Sequence, residues 1–232
     1  MGEMINLTSE DGFKFGAYRA APKGKARGGL VVVQEIFGVN SHIKKLTDSF
    51  AADGVVALAP ALFDRVERGV EMGYQQADIE RGRAIRGKLG WDTMVMDMKA
   101  AIDALKKDGL KVAVVGYCMG GSLAWLASTR VPGIAAAIGY YGGAVAEFAN
   151  EPPKSPVLLH FGETDQSIPK DHWDTIRTAQ PKVPMHIYQG AGHGFSCDER
   201  ASYHAASARL ARERTMERSM RPCACPCPPS PS

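Results

Sequence analysis

The sequence predicts an α/β protein with a mainly parallel central sheet and helices on both faces. Three observations predict it. Short runs of β-forming residues alternate with segments of helical periodicity along the chain. Several of those runs, such as Leu30 with Val31, Val32 and Val33, hold no polar residue, the pattern of strands covered on both sides. The chain has 232 residues, 45% apolar and 23% charged, which suits one domain with a sizeable core. The expected domain spans residues 1–220.

Residues 4–9 and 13–18 read as a hairpin around Glu10-Asp11-Gly12. Residues 30–33 form the next strand. Asn40 and Ser41 can cap a helix in which Ile43, Leu46 and Phe50 recur at helical spacing until Gly54. Residues 55–59 are a strand ended by Pro60, and the charged stretch 71–88 reads as a surface helix or excursion. Met94, Val95, Met98, Ile102 and Leu105 mark an amphipathic helix closed by Gly109. Strands at 112–115, 134–140, 157–161 and 185–188 follow, with helices at 120–128, from Pro169, and at 202–216. From Pro222 the composition turns to Cys and Pro, which predicts a disordered tail over 221–232. Its Cys-x-Cys-x-Cys spacing does not match common zinc sites.

A net charge of +3, evenly spread, argues against nucleic-acid and membrane partners. The amino terminus has no basic segment followed by an apolar one, so no secretory signal is expected. Five cysteines, three in the last ten residues, form no disulfide framework, and a reducing cytoplasm is the expected compartment. The chain is expected to be a monomer or weak homodimer.

Gly116-Tyr117-Cys118-Met119-Gly120-Gly121 lies between an apolar strand and an apolar helix. That context predicts a nucleophile elbow, a strained turn that needs small neighbours and presents its central side chain at a helix N-terminus; the alternative is a small core cysteine in a strand–turn–helix crossing. The nucleophile would be the Cys118 thiol, and the positive end of the helix favours its thiolate. A dinucleotide-binding loop would need glycine at position 118. An elbow predicts its acid and base downstream, in that order. Asp165 follows the strand at 157–161, with Glu163 as a substitute, and His193 lies in Gly190-Ala191-Gly192-His193-Gly194-Phe195 after the last strand. His193 would move the thiol proton and Asp165 would orient it. Two backbone N–H groups should receive the oxyanion, one from Met119 and one from Ile36 in the loop after residues 31–33. Glu35, a charge at the end of a buried strand, is either functional or paired with a basic residue.

Gln34 through Asn40, the elbow, Tyr140-Tyr141-Gly142 and 190–195 together resemble motifs of the dienelactone hydrolase family of α/β-hydrolases. The resemblance reaches to about Met216. It implies the α/β-hydrolase fold, a triad of Cys118, Asp165 and His193, and a Glu35 that contacts the resting thiol and helps switch it to thiolate. It implies hydrolysis of cyclic enol esters with no metal or organic cofactor. Family members hold the substrate carboxylate with two arginines, one of them four residues past the catalytic histidine. Here that position is Cys197, with Arg200 nearby; the other arginine corresponds to Arg81 or Arg83. Phe37 and Tyr140 complete the expected substrate contacts. The function expected is hydrolysis of lactones or small activated esters through a thioester. The alternatives are a carboxylesterase or thioesterase on the same triad, or a non-catalytic thiol sensor.

Overall fold

The computed structural model describes residues 1–220, with side chains to residue 218. The tail expected at 221–232 lies outside the described residues. Eight strands form one sheet: β1 (Glu3–Thr8), β2 (Lys14–Ala20), β3 (Gly29–Val33), β4 (Val56–Pro60), β5 (Val112–Tyr117), β6 (Ala137–Tyr140), β7 (Val157–Gly162) and β8 (Met185–Tyr188). Their order is β1-β2-β4-β3-β5-β6-β7-β8. The hairpin β1–β2 is antiparallel and β2 meets β4 antiparallel, while the pairings from β4 to β8 are parallel.

Residues 29–33, 56–60, 112–117, 137–140 and 157–162 are buried at every position, so helices must cover both faces of these strands. Helices α3 (Trp91–Lys107) and α4 (Met119–Arg130) pack on each other and on the sheet. Helix α1 (Ser41–Ala52) is tied to α6 (Ala205–Met220) by Arg212, which donates to Asp53 at 2.6 Å. Asn40 caps α1 as its side-chain oxygen accepts the Ile43 N–H at 3.2 Å. The charged stretch is a true helix, α2 (Gln76–Arg86), whose buried residues are only Gly82 and Ile85. The amphipathic stripe Met94, Val95, Met98, Ile102 and Leu105 is buried as its spacing predicts.

Two elements start three residues later than expected, while the other strand ends shift by no more than two residues. Strand β6 starts at Ala137, not at 134, although just before it the Ala135 N–H donates to the Val112 carbonyl at 2.7 Å and the Ala136 carbonyl accepts the Val114 N–H at 2.9 Å. The last helix starts at Ala205, not at 202. Residues 201–204 turn back instead: the Tyr203 N–H donates to the Arg200 carbonyl at 3.1 Å and the His204 N–H to that of Phe195 at 2.9 Å.

This topology decides where a site can form. Strand β4 lies on one side of β3 and β5 on the other, so the connections leaving their carboxyl ends diverge and open a crevice there. No helix among the described residues is long and apolar enough to cross a membrane.

Candidate active site

Cys118 joins the end of β5 to the start of α4 with φ 54° and ψ −115°, in the left-handed region that a β-substituted residue avoids. Its surroundings enforce the strain. A Cβ on Gly116 would lie 1.9 Å from the Gly120 carbonyl oxygen, and one on Gly120 would lie 2.4 Å from that of Val33. The flanking glycines therefore let strand and helix backbones touch, and the Cys118 side chain leaves the turn between them. The thiol is half-buried and unbridged. The Cys118 N–H donates to the Tyr140 carbonyl at 3.0 Å, which ties the turn to β6.

His193 and Asp165 arrive from the loops after β8 and β7. His193 Nδ1 donates to Asp165 Oδ2 at 2.7 Å, and Cys118 is near enough to favour the protonated ring. Asp165 is held in turn by the Ser167 N–H, which donates to Oδ1 at 2.8 Å. The two loops are sutured by the Thr164 N–H donating to the Ala191 carbonyl at 2.9 Å. Glu163, the other carboxylate considered from sequence, faces away and accepts the Gly190 N–H at 2.9 Å. Burial disfavours the imidazolium of His193. The Cys118 sulfur and the Asp165 carboxylate outweigh that cost and push its pKa up to about 10. A proton held so firmly makes His193 a cationic partner at neutral pH.

That shift has a measurable sign. The folded-state pKa stands above the ordinary 6.5, so the stability contributed by the imidazolium is full below that pH and is lost as pH rises to about 10. In Cys118→Ser the charge partner is gone, and the His193 pKa should drop by roughly one to three units. Imidazole NMR titration of the two proteins measures this; identical midpoints would refute the coupling.

A cavity of about 350 Å³ opens beside Cys118 and is also lined by Ile36, Phe37, Ile79, Arg83, Trp91, Met119, Ser122, Ile168, His193 and Arg200. It is at the small end of ligand sites. Ile36 and Met119 both border it. Met119 is the first residue of α4, where helix geometry leaves the N–H without an intrahelical acceptor. The Ile36 loop is clamped by α2, because a Cβ on Gly82 would lie 2.3 Å from the Ile36 carbonyl oxygen. Asn40 extends the clamp by donating to the Met72 carbonyl at 2.9 Å.

Glu35 is 1% exposed and ion-paired. Its Oε1 accepts from Arg200 Nη1 at 3.1 Å and its Oε2 from the Tyr74 hydroxyl at 3.3 Å. Among the described residues, its side-chain hydrogen bonds run to these two groups and not to the Cys118 sulfur. Arg200 also borders the cavity, so one guanidinium meets both Glu35 and the space before the thiol. Of the two candidate arginines of α2, Arg83 lines the cavity, whereas Arg81 turns outward to Glu67. Phe37 is a cavity wall. Tyr140 is not: its ring is buried and its hydroxyl shares a 2.7 Å hydrogen bond with Thr215. The next residue, Tyr141, has φ 38°; its ring lies 5.0 Å from that of His193 and its hydroxyl 2.9 Å from Ser196 Oγ. Sequence reasoning missed Tyr141, Trp91 and Ile168 as neighbours of the site. The only signal for Tyr141 was its place in the Tyr-Tyr-Gly motif.

Cys197, the second thiol within the described residues, is fully buried, and burial with the Glu35 charge nearby pushes its pKa up to about 12. It is not among the residues that border the cavity.

A sequence profile of the dienelactone hydrolase family matches residues 15–219. The carboxymethylenebutenolidase of Pseudomonas putida is 33% identical over 228 residues, covering 93% of this chain and 94% of its own. A Synechocystis sp. protein is 34% identical over 206 residues, covering 81% of this chain and 83% of its own. A crystal structure from Klebsiella pneumoniae superposes with a TM-score of 0.83 at 28% identity, covering 94% of this chain and 99% of that one.

Proposed function

Because this chain belongs to the dienelactone hydrolase family, we propose that it hydrolyses lactones or small activated esters through a thioester on Cys118. The observation that carries the reading is the strained Cys118 turn, with His193, bonded to Asp165 at 2.7 Å, lining the same cavity. The Cys118 thiolate attacks the ester carbonyl carbon, and the carbonyl oxygen takes up negative charge between the Ile36 and Met119 N–H groups. As the tetrahedral adduct collapses, the His193 imidazolium gives its proton to the departing oxygen. His193, now neutral, takes a proton from water, whose oxygen attacks the thioester. Collapse of the second adduct releases the acid, and thiolate and imidazolium return together. Asp165 keeps Nδ1 protonated so that the other nitrogen does the proton transfer. A thiolate suits a substrate whose leaving oxygen is already a good leaving group, as in an aryl or enol ester.

Two cations at the cavity favour an anionic substrate. Arg200 is shared with Glu35, whereas Arg83 is exposed and free of that carboxylate. In Arg83→Gln the KM for a carboxylate-bearing ester should rise about three- to tenfold, from loss of one charge-assisted contact, while a neutral ester is unaffected. Equal changes for both esters would remove Arg83 from substrate binding.

The direct test is turnover of an activated aryl ester, a lactone and an acyl thioester by the intact protein. Hydrolysis with a covalent acyl adduct on Cys118 in quenched samples supports the reading. An alkylatable thiol that turns over none of them would overturn it in favour of a thiol sensor.

A further inference from the structure

Behind the Glu35–Arg200 pair, three side chains from two distant segments converge on one point that the proposed hydrolysis does not use. His42 comes from the first turn of α1, and Cys197 and Asp198 come from the loop that carries His193. One ligating atom from each lies within 4.8 Å of the other two. His42 Nδ1 and Asp198 Oδ1 are 3.4 Å apart. The imidazole is 3% exposed, and its Nε2 is buried without a hydrogen-bond partner. Nδ1, which faces Asp198, is the nitrogen placed to hold an ion, since one imidazole offers a given ion only one of its two ring nitrogens.

We propose that His42, Cys197 and Asp198 form a binding site for a divalent cation of the Zn²⁺ class. The donor set is an imidazole, a thiol and a carboxylate, which selects a borderline-soft ion over Mg²⁺ or Ca²⁺. In a tetrahedral zinc site, ligand atoms stand about 3.5 Å apart, as follows from bond lengths near 2.0 to 2.3 Å. The His42–Asp198 separation is already close to that, and Cys197 needs only a short side-chain adjustment. Asp198 is 60% exposed at its side chain, so an ion and a fourth, water ligand can reach the site from solvent. Lys45, the cation beside these groups, is held by Glu199 at 2.5 Å and so does not occupy the carboxylate of Asp198. On binding, the Cys197 S–H bond is exchanged for a sulfur–metal bond and the proton is released to buffer; no oxidation state changes. The ion would pin the His193–Arg200 loop to the start of α1, next to the Ser41 hydroxyl that already donates to Glu199 at 2.7 Å.

The chain has five cysteines, so four must be removed to isolate the signal. The test is a Co²⁺ titration of the full chain carrying Cys118→Ser, Cys223→Ser, Cys225→Ser and Cys227→Ser, with Cys197 as the sole thiol. The expected result is a thiolate-to-cobalt charge-transfer band and intense tetrahedral visible bands, saturating at one ion per chain and displaced by Zn²⁺. Adding Cys197→Ser should abolish the charge-transfer band. Asp198→Asn, an exposed change that leaves packing intact, should weaken Co²⁺ at least tenfold, and so should His42→Ala if it retains its circular dichroism. Absence of the band, or a band that Asp198→Asn leaves unchanged, would overturn the site. Because the readout is metal absorption in a protein without Cys118, it is independent of whether the hydrolytic reading holds.

Discussion

Cys118→Ala should lower kcat/KM for an activated aryl ester by roughly 10⁴-fold or more, the loss seen when a covalent nucleophile is deleted from an otherwise intact site. The substitution suits the purpose because alanine keeps the Cβ. The turn at φ 54° is then as strained as before, and only a half-buried sulfur is lost. Stability should change by no more than about 1 kcal/mol. Any residual rate would come from the Ile36 and Met119 N–H groups acting on a water nucleophile. Cys118→Ser should recover little of the loss, since a hydroxyl stays protonated where a thiol ionises. The measurement is steady-state hydrolysis alongside thermal melting. Near-native turnover in the folded alanine variant would place the chemistry elsewhere in the protein.

Gly116→Ala is expected to do the largest damage to the fold. Its Cβ would stand 1.9 Å from the oxygen and 2.2 Å from the carbon of the Gly120 carbonyl, and both are backbone atoms inside a strand–helix junction. No rotamer change relieves such a clash, so β5 and α4 must separate. Overpacking of this kind costs typically 1–3 kcal/mol when side chains can yield, and about 4 kcal/mol or more is expected where only backbone can move. For a chain of this size that is a melting-point drop of about 10 °C or more. The elbow would move with α4, so hydrolysis should fall as well. Gly109→Ala is the control. That glycine has φ 75° with nothing within 4 Å of the added methyl, so it isolates the conformational penalty of about 1 kcal/mol. Equal melting temperatures for the two variants would mean that the strand and helix are not in backbone contact at the elbow.

The residues legible in the sequence were those whose role follows from local pattern. Glycines at 116, 120 and 121 around Cys118 announce a close backbone approach wherever a strand runs into a helix. The order of Cys118, Asp165 and His193, each just past an apolar strand, follows from a parallel sheet whose carboxyl ends face one side. The elements at 94–105 and 30–33 could be read because burial on one helix face or on both sheet faces leaves a periodic trace. Arg81 against Arg83 could not be read. They lie two positions apart on an exposed helix with few apolar residues, where periodicity gives no sense of which face meets the cavity.

Sequence alone determined the α/β alternation, the strained thiol turn and the chain order of the candidate triad, because each is written in spacings of a few residues. Tertiary structure decided the partnerships. Glu35 meets Arg200 across 165 positions of sequence, Tyr141 rather than Tyr140 faces the imidazole, and His42 meets the loop of Cys197. Such pairings depend on how helices and loops pack over the sheet, and the free energy that selects them comes from contacts between segments far apart in the chain. Local periodicity reports which face of an element is buried, and it is silent on what that face touches.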